Sequence, residues 1–232
     1  MTIQPLVVLF EDAHVLAVVK PAGVLTQRNL KGEHALEDDV RAYLDSETTR
    51  GVYLGTVHRL DRPVSGVILW AKTPKAAQRL SGQFGRREVT KEYLGLFEDL
   101  RAEPGPLDTV WTNWLTPTSN EKGVVHVVDP DTPGARLAQT RVCEDPGSIP
   151  GKLLRLRLSP ETGRTHQLRV QAATRGFPVL GDAAYGSSRR FPAGIALHAR
   201  LLRFRHPTLM SPMELTAPLP DAWSNVGIEP ES

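Results

Sequence analysis

The sequence predicts an α+β fold whose central sheet is mixed but mostly antiparallel and is flanked by helices and loops. Three observations lead there: apolar runs of strand length recur along the chain, few stretches show helical spacing, and the strand–helix alternation of a doubly wound sheet is missing. The 232 residues, 40% of them apolar, can bury a sizeable core without disulfides or metals. A single domain over 1–232 is expected, with a flexible acidic tail over 219–232.

Leu6 to Phe10 and Val15 to Val19 are short apolar runs separated by Glu11-Asp12, the pattern of a strand pair closed by Lys20-Pro21-Ala22-Gly23. Ala35, Leu36, Val40 and Leu44 recur at helical spacing in a charged context. Gly66 to Lys72 has the length and composition of a buried strand. Thr73 suits an N-cap and Pro74 a first helical position, so a helix is expected from Pro74 towards Phe84, closed by Gly85. Val89 to Phe97 reads as a strand. The proline- and acid-rich stretch from Arg101 to Pro150 offers strands near Val110 to Trp114, Val124 to Val128 and Ala135 to Val142. Leu154 to Leu158 alternates strictly, which puts leucines on one face and Arg155 and Arg157 on the other. Thr165 to Arg175 is expected to be helical, and Ile195 to Arg205 and Met213 to Ala217 to be strands.

Charge narrows the function classes. The net charge of +2 conceals a block over 151–210 with 11 basic and 2 acidic residues, ten of the basic ones being arginine, while 211–232 carries four acidic residues and no basic one. Arginine's planar fork grips phosphate in two places, so such a block suits a polyanion-binding face; a solvated arginine-rich surface has the same composition. The longest apolar runs are five residues, against the ~20 that a membrane-spanning helix needs. The start of the chain lacks the features of a secretory signal, so a cytoplasmic location and no membrane partner are expected. The single cysteine, Cys143, is read as a small buried apolar residue.

The densest group of chemically capable side chains outside a helix is His58-Arg59-Leu60-Asp61-Arg62-Pro63-Val64-Ser65-Gly66, immediately before the buried strand. A carboxylate between two arginines is held ionised and can act as a nucleophile or base. A surface ion-pair loop is the plainer reading of this segment taken alone.

This segment resembles the His-Arg-Leu-Asp-x-x-Thr-Ser-Gly signature of the RluA-like family of RNA pseudouridine synthases. Further blocks follow in order: Glu11-Asp12 through Val19-Lys20-Pro21-Ala22-Gly23, Lys91-Glu92-Tyr93, Thr162 to Val170, Pro178 to Asp182 with Tyr185-Gly186, and Leu197-His198-Ala199 before His206-Pro207. The resemblance implies the pseudouridine synthase fold and conversion of specific uridines in structured RNA, a transfer or ribosomal RNA stem-loop, to pseudouridine. It implies that Asp61 is the catalytic aspartate, that Tyr93 stacks against a flipped uracil, and that Arg169 supplies the cation paired with the catalytic carboxylate. Two routes are open for Asp61, attack on the sugar or removal of a sugar proton to give a glycal. Arg59, Arg62, Lys91, Arg164 and Gln167 are assigned to substrate binding. Gly181-Asp182 and Tyr185-Gly186 read as turn chemistry.

The isomerisation is redox-neutral, and no cofactor is expected. His166, His198 and His206 show no ligand spacing of the HExxH kind, so no metal is expected and structural roles are assigned to them. Val64 stands where the family usually has threonine, and Gln171 where histidine is common. The resemblance begins near residue 10, which leads to the expectation of no separate N-terminal RNA-binding domain, and a monomer is expected. Two rivals remain: a non-catalytic RNA-binding module that keeps the fold, and a carboxylate-based hydrolase, which usually needs two carboxylates flanking the bond.

Overall fold

The computed structural model describes residues 6–45, 53–102, 107–116, 124–145 and 153–226. The chain, read from its sequence as one domain, divides into two compact units: Met1–Thr90 with Ala199–Pro218, and Lys91–His198 with Leu219–Ser232.

In the first unit, β1 (Val7–Glu11) and β2 (Val15–Lys20) form the expected antiparallel pair. Asp12 fixes the turn between them, its Oδ1 accepting the His14 and Val15 N–H groups at 2.8 Å each, the local bond that makes aspartate a turn residue. The two-residue β3 (Gly55–Thr56), which carries no sequence signal, pairs with β4 (Ser65–Ala71). All seven residues of β4 are buried, so it reads as an unbroken apolar run instead of an alternating one. It lies antiparallel to β2 in a register that sets Lys20 opposite Gly66. Helix α1 (Leu36–Asp45) buries Leu36, Val40 and Leu44 and carries Glu37, Asp38 and Asp39 in its first turn, where the helix dipole favours anions.

Helix α2 (Pro74–Gly85) begins as the sequence requires, with the Thr73 hydroxyl accepting the Ala76 N–H at 3.1 Å. Its end differs from the expectation. The helix runs through Gly85, and the left-handed residue that follows is Arg87 (φ 61°), whose N–H reaches the Phe84 carbonyl at 3.2 Å.

The second unit holds the antiparallel order β5 (Thr90–Glu98), β9 (Leu153–Pro160), β8 (Arg136–Glu144), β6 (Val110–Leu115) and β7 (Val127–Val128). Only two residues of the strand expected over Val124 to Val128 pair. The helix expected over 165–175 is the seven-residue α3 (Gln167–Ala173). Strand β10 (Leu197–Arg205) starts in this unit and continues in the first, where it neighbours β4 and pairs with β11 (Pro212–Thr216).

Two expectations are corrected by burial. Cys143 is exposed, because β8 buries Ala138, Thr140 and Val142 and so turns its odd-numbered neighbour outward. Within the stretch expected as a flexible tail, Leu219 and Trp223 pack into a core with Leu94, Leu96, Leu153, Leu180, Phe191 and Ala196; residues 227–232 lie outside the described residues. No described helix is long and apolar enough to cross a membrane.

Candidate active site

The predicted site residues fall in both units. Arg59, Asp61 and Arg62 belong to the first, and Lys91, Tyr93, Arg164, Gln167 and Arg169 to the second.

In the first unit, the loop that carries Asp61 is fastened along its main chain. The Thr26 hydroxyl donates to the Leu60 carbonyl at 2.9 Å and accepts the Leu60 N–H at 3.1 Å. The Asp61 carbonyl accepts the Val64 N–H at 3.1 Å, closing the turn, and the Arg62 carbonyl accepts the Gly23 N–H at 2.8 Å. Beneath the loop, Lys20 is fully buried and donates to the Val24, Pro21 and Arg62 carbonyls at 2.7, 2.9 and 3.1 Å. Burial pushes its amine down to about 7, the Asp61 charge opposes that shift and the Arg62 charge adds to it. The ammonium form offers one hydrogen to each of the three carbonyls, and the neutral amine offers two.

Gly66 fixes the far end of the loop. A Cβ there would lie 2.3 Å from the Ala199 carbonyl oxygen and 2.5 Å from its nitrogen, and φ is +126°, so only glycine fits. His58 stacks on Phe84 at 4.9 Å and its Nε2 accepts the Leu69 N–H at 2.9 Å. Asp61 is half-buried and Arg59 exposed. Arg62, expected as a substrate contact, turns back on its own unit: Nε donates to the Gly23 carbonyl at 3.0 Å and Nη1 to Glu33 at 2.9 Å.

In the second unit, Lys91 and Tyr93 sit two residues apart on β5 and therefore share a face. Burial lowers the pKa of Lys91, and its Nζ lies beside the Thr162-Gly163-Arg164 turn, 3.7 Å from where a Gly163 side chain would begin. Gln167, 4% exposed, is satisfied inside the protein. Its Oε1 accepts from the Thr162 hydroxyl at 2.7 Å and the Arg164 N–H at 3.1 Å, and its Nε2 donates to the Gln139 carbonyl and the Thr140 hydroxyl, both at 2.9 Å. Gln167 thus orders the turn before α3, and Arg164 is drawn to β8 by Nε donating to the Leu137 carbonyl at 3.0 Å.

The opposite face of α3 presents Arg169, 6% exposed, which grips Asp182 with Nε–Oδ2 at 2.7 Å and Nη2–Oδ1 at 2.9 Å. Its guanidinium lies 4.9 Å from the Tyr185 ring centroid. The Tyr185 hydroxyl accepts the Val125 N–H at 2.9 Å and lies 2.9 Å from His166 Nδ1, helping to hold His166 at φ 53°. His206 is a satisfied structural histidine: Nε2 lies 2.8 Å from Asp12, and Nδ1 accepts the Leu209 and Thr208 N–H groups at 2.9 and 3.2 Å.

Sequence reasoning gave Lys20 no role at the site and read Asp182 as a turn residue. A lysine inside the apolar run that ends at Pro21 and an aspartate in the apolar Pro178 to Leu180 context were the available signals, since charges in such settings need partners.

The family model described as RNA pseudouridylate synthase matches residues 14–174. A tRNA pseudouridine synthase C from Haemophilus ducreyi is 32% identical, over 93% of this chain and 92% of its own length. A ribosomal large subunit pseudouridine synthase D from Vibrio vulnificus is also 32% identical, over 94% of this chain and 68% of its own length. Among solved structures, human RNA pseudouridylate synthase domain containing 4 aligns with TM-score 0.75 at 22% identity, covering 96% of this chain and 94% of that one.

Proposed function

The chain belongs to the RluA-like family of RNA pseudouridine synthases, and we propose that it isomerises specific uridines of structured RNA with Asp61 as the catalytic carboxylate. The observation that carries this reading is the immobilised loop, where Thr26, Lys20 and Gly23 hold the main chain on both sides of a half-buried Asp61. A reacting carboxylate needs a fixed position, because a displacement of ~1 Å can cost about 100-fold in rate.

In the proposed reaction the bond between uracil N1 and the ribose C1′ breaks, the base turns, and C5 bonds to C1′ while the C5 proton leaves and N1 gains one. Mass is conserved and no electrons are exchanged. Asp61 starts the cleavage, by attack on the sugar or by removing a sugar proton. Tyr93 offers an aromatic face for the base turned out of its stack, and Arg169, oriented by Asp182, is the cation proposed for the reaction. Arg59, exposed beside Asp61, and Lys91 are the cations proposed for the RNA itself. Gln167, Arg164 and Arg62 act by ordering their loops. The relatives are named for transfer RNA and for ribosomal RNA; a compact stem-loop is the proposed substrate.

The test is a nucleotide-resolution pseudouridine map of small and ribosomal RNA from cells lacking the protein, complemented with wild type or with Asp61→Asn. One or a few sites should vanish and return only with wild type. If no site changes, and purified protein also fails on transcribed RNAs, catalysis falls and a non-catalytic RNA-binding module takes its place. Release of free uracil would instead indicate a hydrolase.

A further inference from the structure

The segment from Gly181 to Phe191 is closed on itself and pinned at several points within the second unit. At its start, a Cβ on Gly181 (φ +90°) would lie 2.7 Å from the Phe191 Cβ and 3.0 Å from the Gly194 carbonyl, so the loop's two ends touch through the missing side chain. Asp182 is held by Arg169. Phe191 is buried and meets Trp223 edge-on at 6.0 Å.

Between these anchors the turn is latched by Glu98, at the end of β5 and 3% exposed. Its Oε1 accepts from the Ser187 hydroxyl and, at 3.2 Å, from the Arg189 N–H; its Oε2 accepts from the Ser188 hydroxyl at 2.8 Å. Ser187 in turn accepts the Gly181 N–H at 2.9 Å. Burial raises the pKa of the Glu98 carboxyl, but these donors outweigh it and bring it below the usual value.

The turn so fixed carries two consecutive exposed arginines, Arg189 and Arg190. Of the other exposed arginines of the basic block, Arg157 meets Asp145 at 3.1 Å and Arg203 meets Glu214 at 2.5 Å, while Arg205 donates to the Met210 carbonyl at 3.4 Å. Among the described residues Arg190 has no such partner. A merely solvated arginine needs no ordered main chain beneath it. A phosphate-gripping one gains from it, because the ordering cost is met before binding.

We propose that the Ser187–Arg190 turn, latched by Glu98, is an RNA-backbone contact in which Arg189 and Arg190 engage phosphates of the substrate. The inference rests on the RNA-modifying reading and extends it to residues that reading leaves unassigned. The same segment carries Asp182, so RNA held at Arg189 and Arg190 is connected through eight residues of pinned chain to the guanidinium of Arg169.

The experiment measures binding of a mixed pool of tRNA and large-subunit rRNA transcripts to wild type and to Arg189→Ala/Arg190→Ala across a salt series, with pseudouridine yield read on the same pool. Each phosphate contact contributes ~0.7–0.9 to the slope of log affinity against log salt. The double variant should therefore bind ~10-fold more weakly near 0.1 M salt and lose about 1.5 of that slope, with its melting temperature unchanged. Glu98→Gln keeps both arginines but weakens the latch, and should weaken binding several-fold without abolishing it. Wild-type affinity and slope in the double variant overturn the proposal even where wild type makes pseudouridine, as does failure of wild type to bind either RNA. If wild type makes no pseudouridine but the slope changes as stated, the catalytic reading fails and the RNA contact stands.

Discussion

Arg169 and Asp182 form a two-point ion pair, 2.7 and 2.9 Å between paired atoms, with both side chains almost wholly buried. A guanidinium gripped through two of its nitrogens and covered by the Tyr185 ring has its direction set before any substrate arrives. Removing one partner strands a buried charge. Asp182→Ala should destabilise the protein by about 3–5 kcal/mol, read by urea unfolding. Asp182→Leu combined with Arg169→Met should recover much of that loss while activity stays abolished. A loss in the double variant equal to the sum of the Asp182→Leu and Arg169→Met losses measured singly would show that the pair has no coupling.

Lys20 should give stability a pH dependence of definite sign. Burial pushes its amine down to about 7 in the folded protein, whereas an unfolded lysine titrates near ~10.4. Between those values the unfolded chain holds more protons, so this group's contribution to stability rises with pH and is lost as pH falls through about 7. The slope is at most about 1.4 kcal/mol per pH unit. In Lys20→Met the slope is absent and the Pro21 and Val24 carbonyls lose the donor that Lys20 gives them, the Arg62 carbonyl keeping the Gly23 N–H, so the variant is less stable throughout. Urea unfolding from about pH 7 to 9 should show the gap between wild type and variant widening with pH; a constant gap would refute the assignment.

Gly66→Ala tests whether the Asp61 loop depends on a single close approach. The added Cβ meets the Ala199 main chain at 2.3 Å, in a backbone region that L residues rarely adopt. Neither β4 nor β10 can yield cheaply, since both are packed in the sheet. A loss of about 3 kcal/mol or more is expected, together with loss of pseudouridine formation in whatever fraction still folds. Stability within about 1 kcal/mol of wild type would mean that the strands separate more easily than their packing implies.

Most of the fold was legible because its signals are local. The continuous apolar β4, the Thr73-Pro74 start of α2 and the alternating Leu154 to Leu158 each declare their element within a few residues. The order of motifs also gave the family. What stayed hidden depends on partners distant in sequence. Asp182 reads as a turn residue until Arg169, thirteen residues away, takes its carboxylate. Arg62 reads from its sequence as a substrate contact, with no sign of the Gly23 carbonyl and Glu33 that take two of its five N–H groups. Trp223, in an acidic context suggesting a tail, is buried because a hydrophobic cluster far back in the chain leaves room for it. Local pattern cannot carry that information; tertiary packing does.

The two departures from the family pattern should behave oppositely when reversed. Val64, 3% exposed, closes the Asp61 turn through its main-chain N–H, which a threonine retains. Val64→Thr should change stability by no more than about 1 kcal/mol if its hydroxyl finds an acceptor. Gln171 is different, because its buried carboxamide is used at both ends. Oε1 accepts the Thr140 hydroxyl at 2.7 Å, while Nε2 shares its hydrogens among the Trp111 and Ala138 carbonyls at 3.0 and 3.1 Å and Asn113 at 3.3 Å. A neutral imidazole offers one donor and one acceptor in a different geometry. At least one buried group is then left unpaired, at about 1–3 kcal/mol. Gln171→His should therefore cost about 2 kcal/mol or more in urea unfolding, although it restores the commoner residue. A neutral or stabilising result would mean that α3 can shift against β6 and β8 to satisfy the ring, and would remove Gln171 as the reason for the departure.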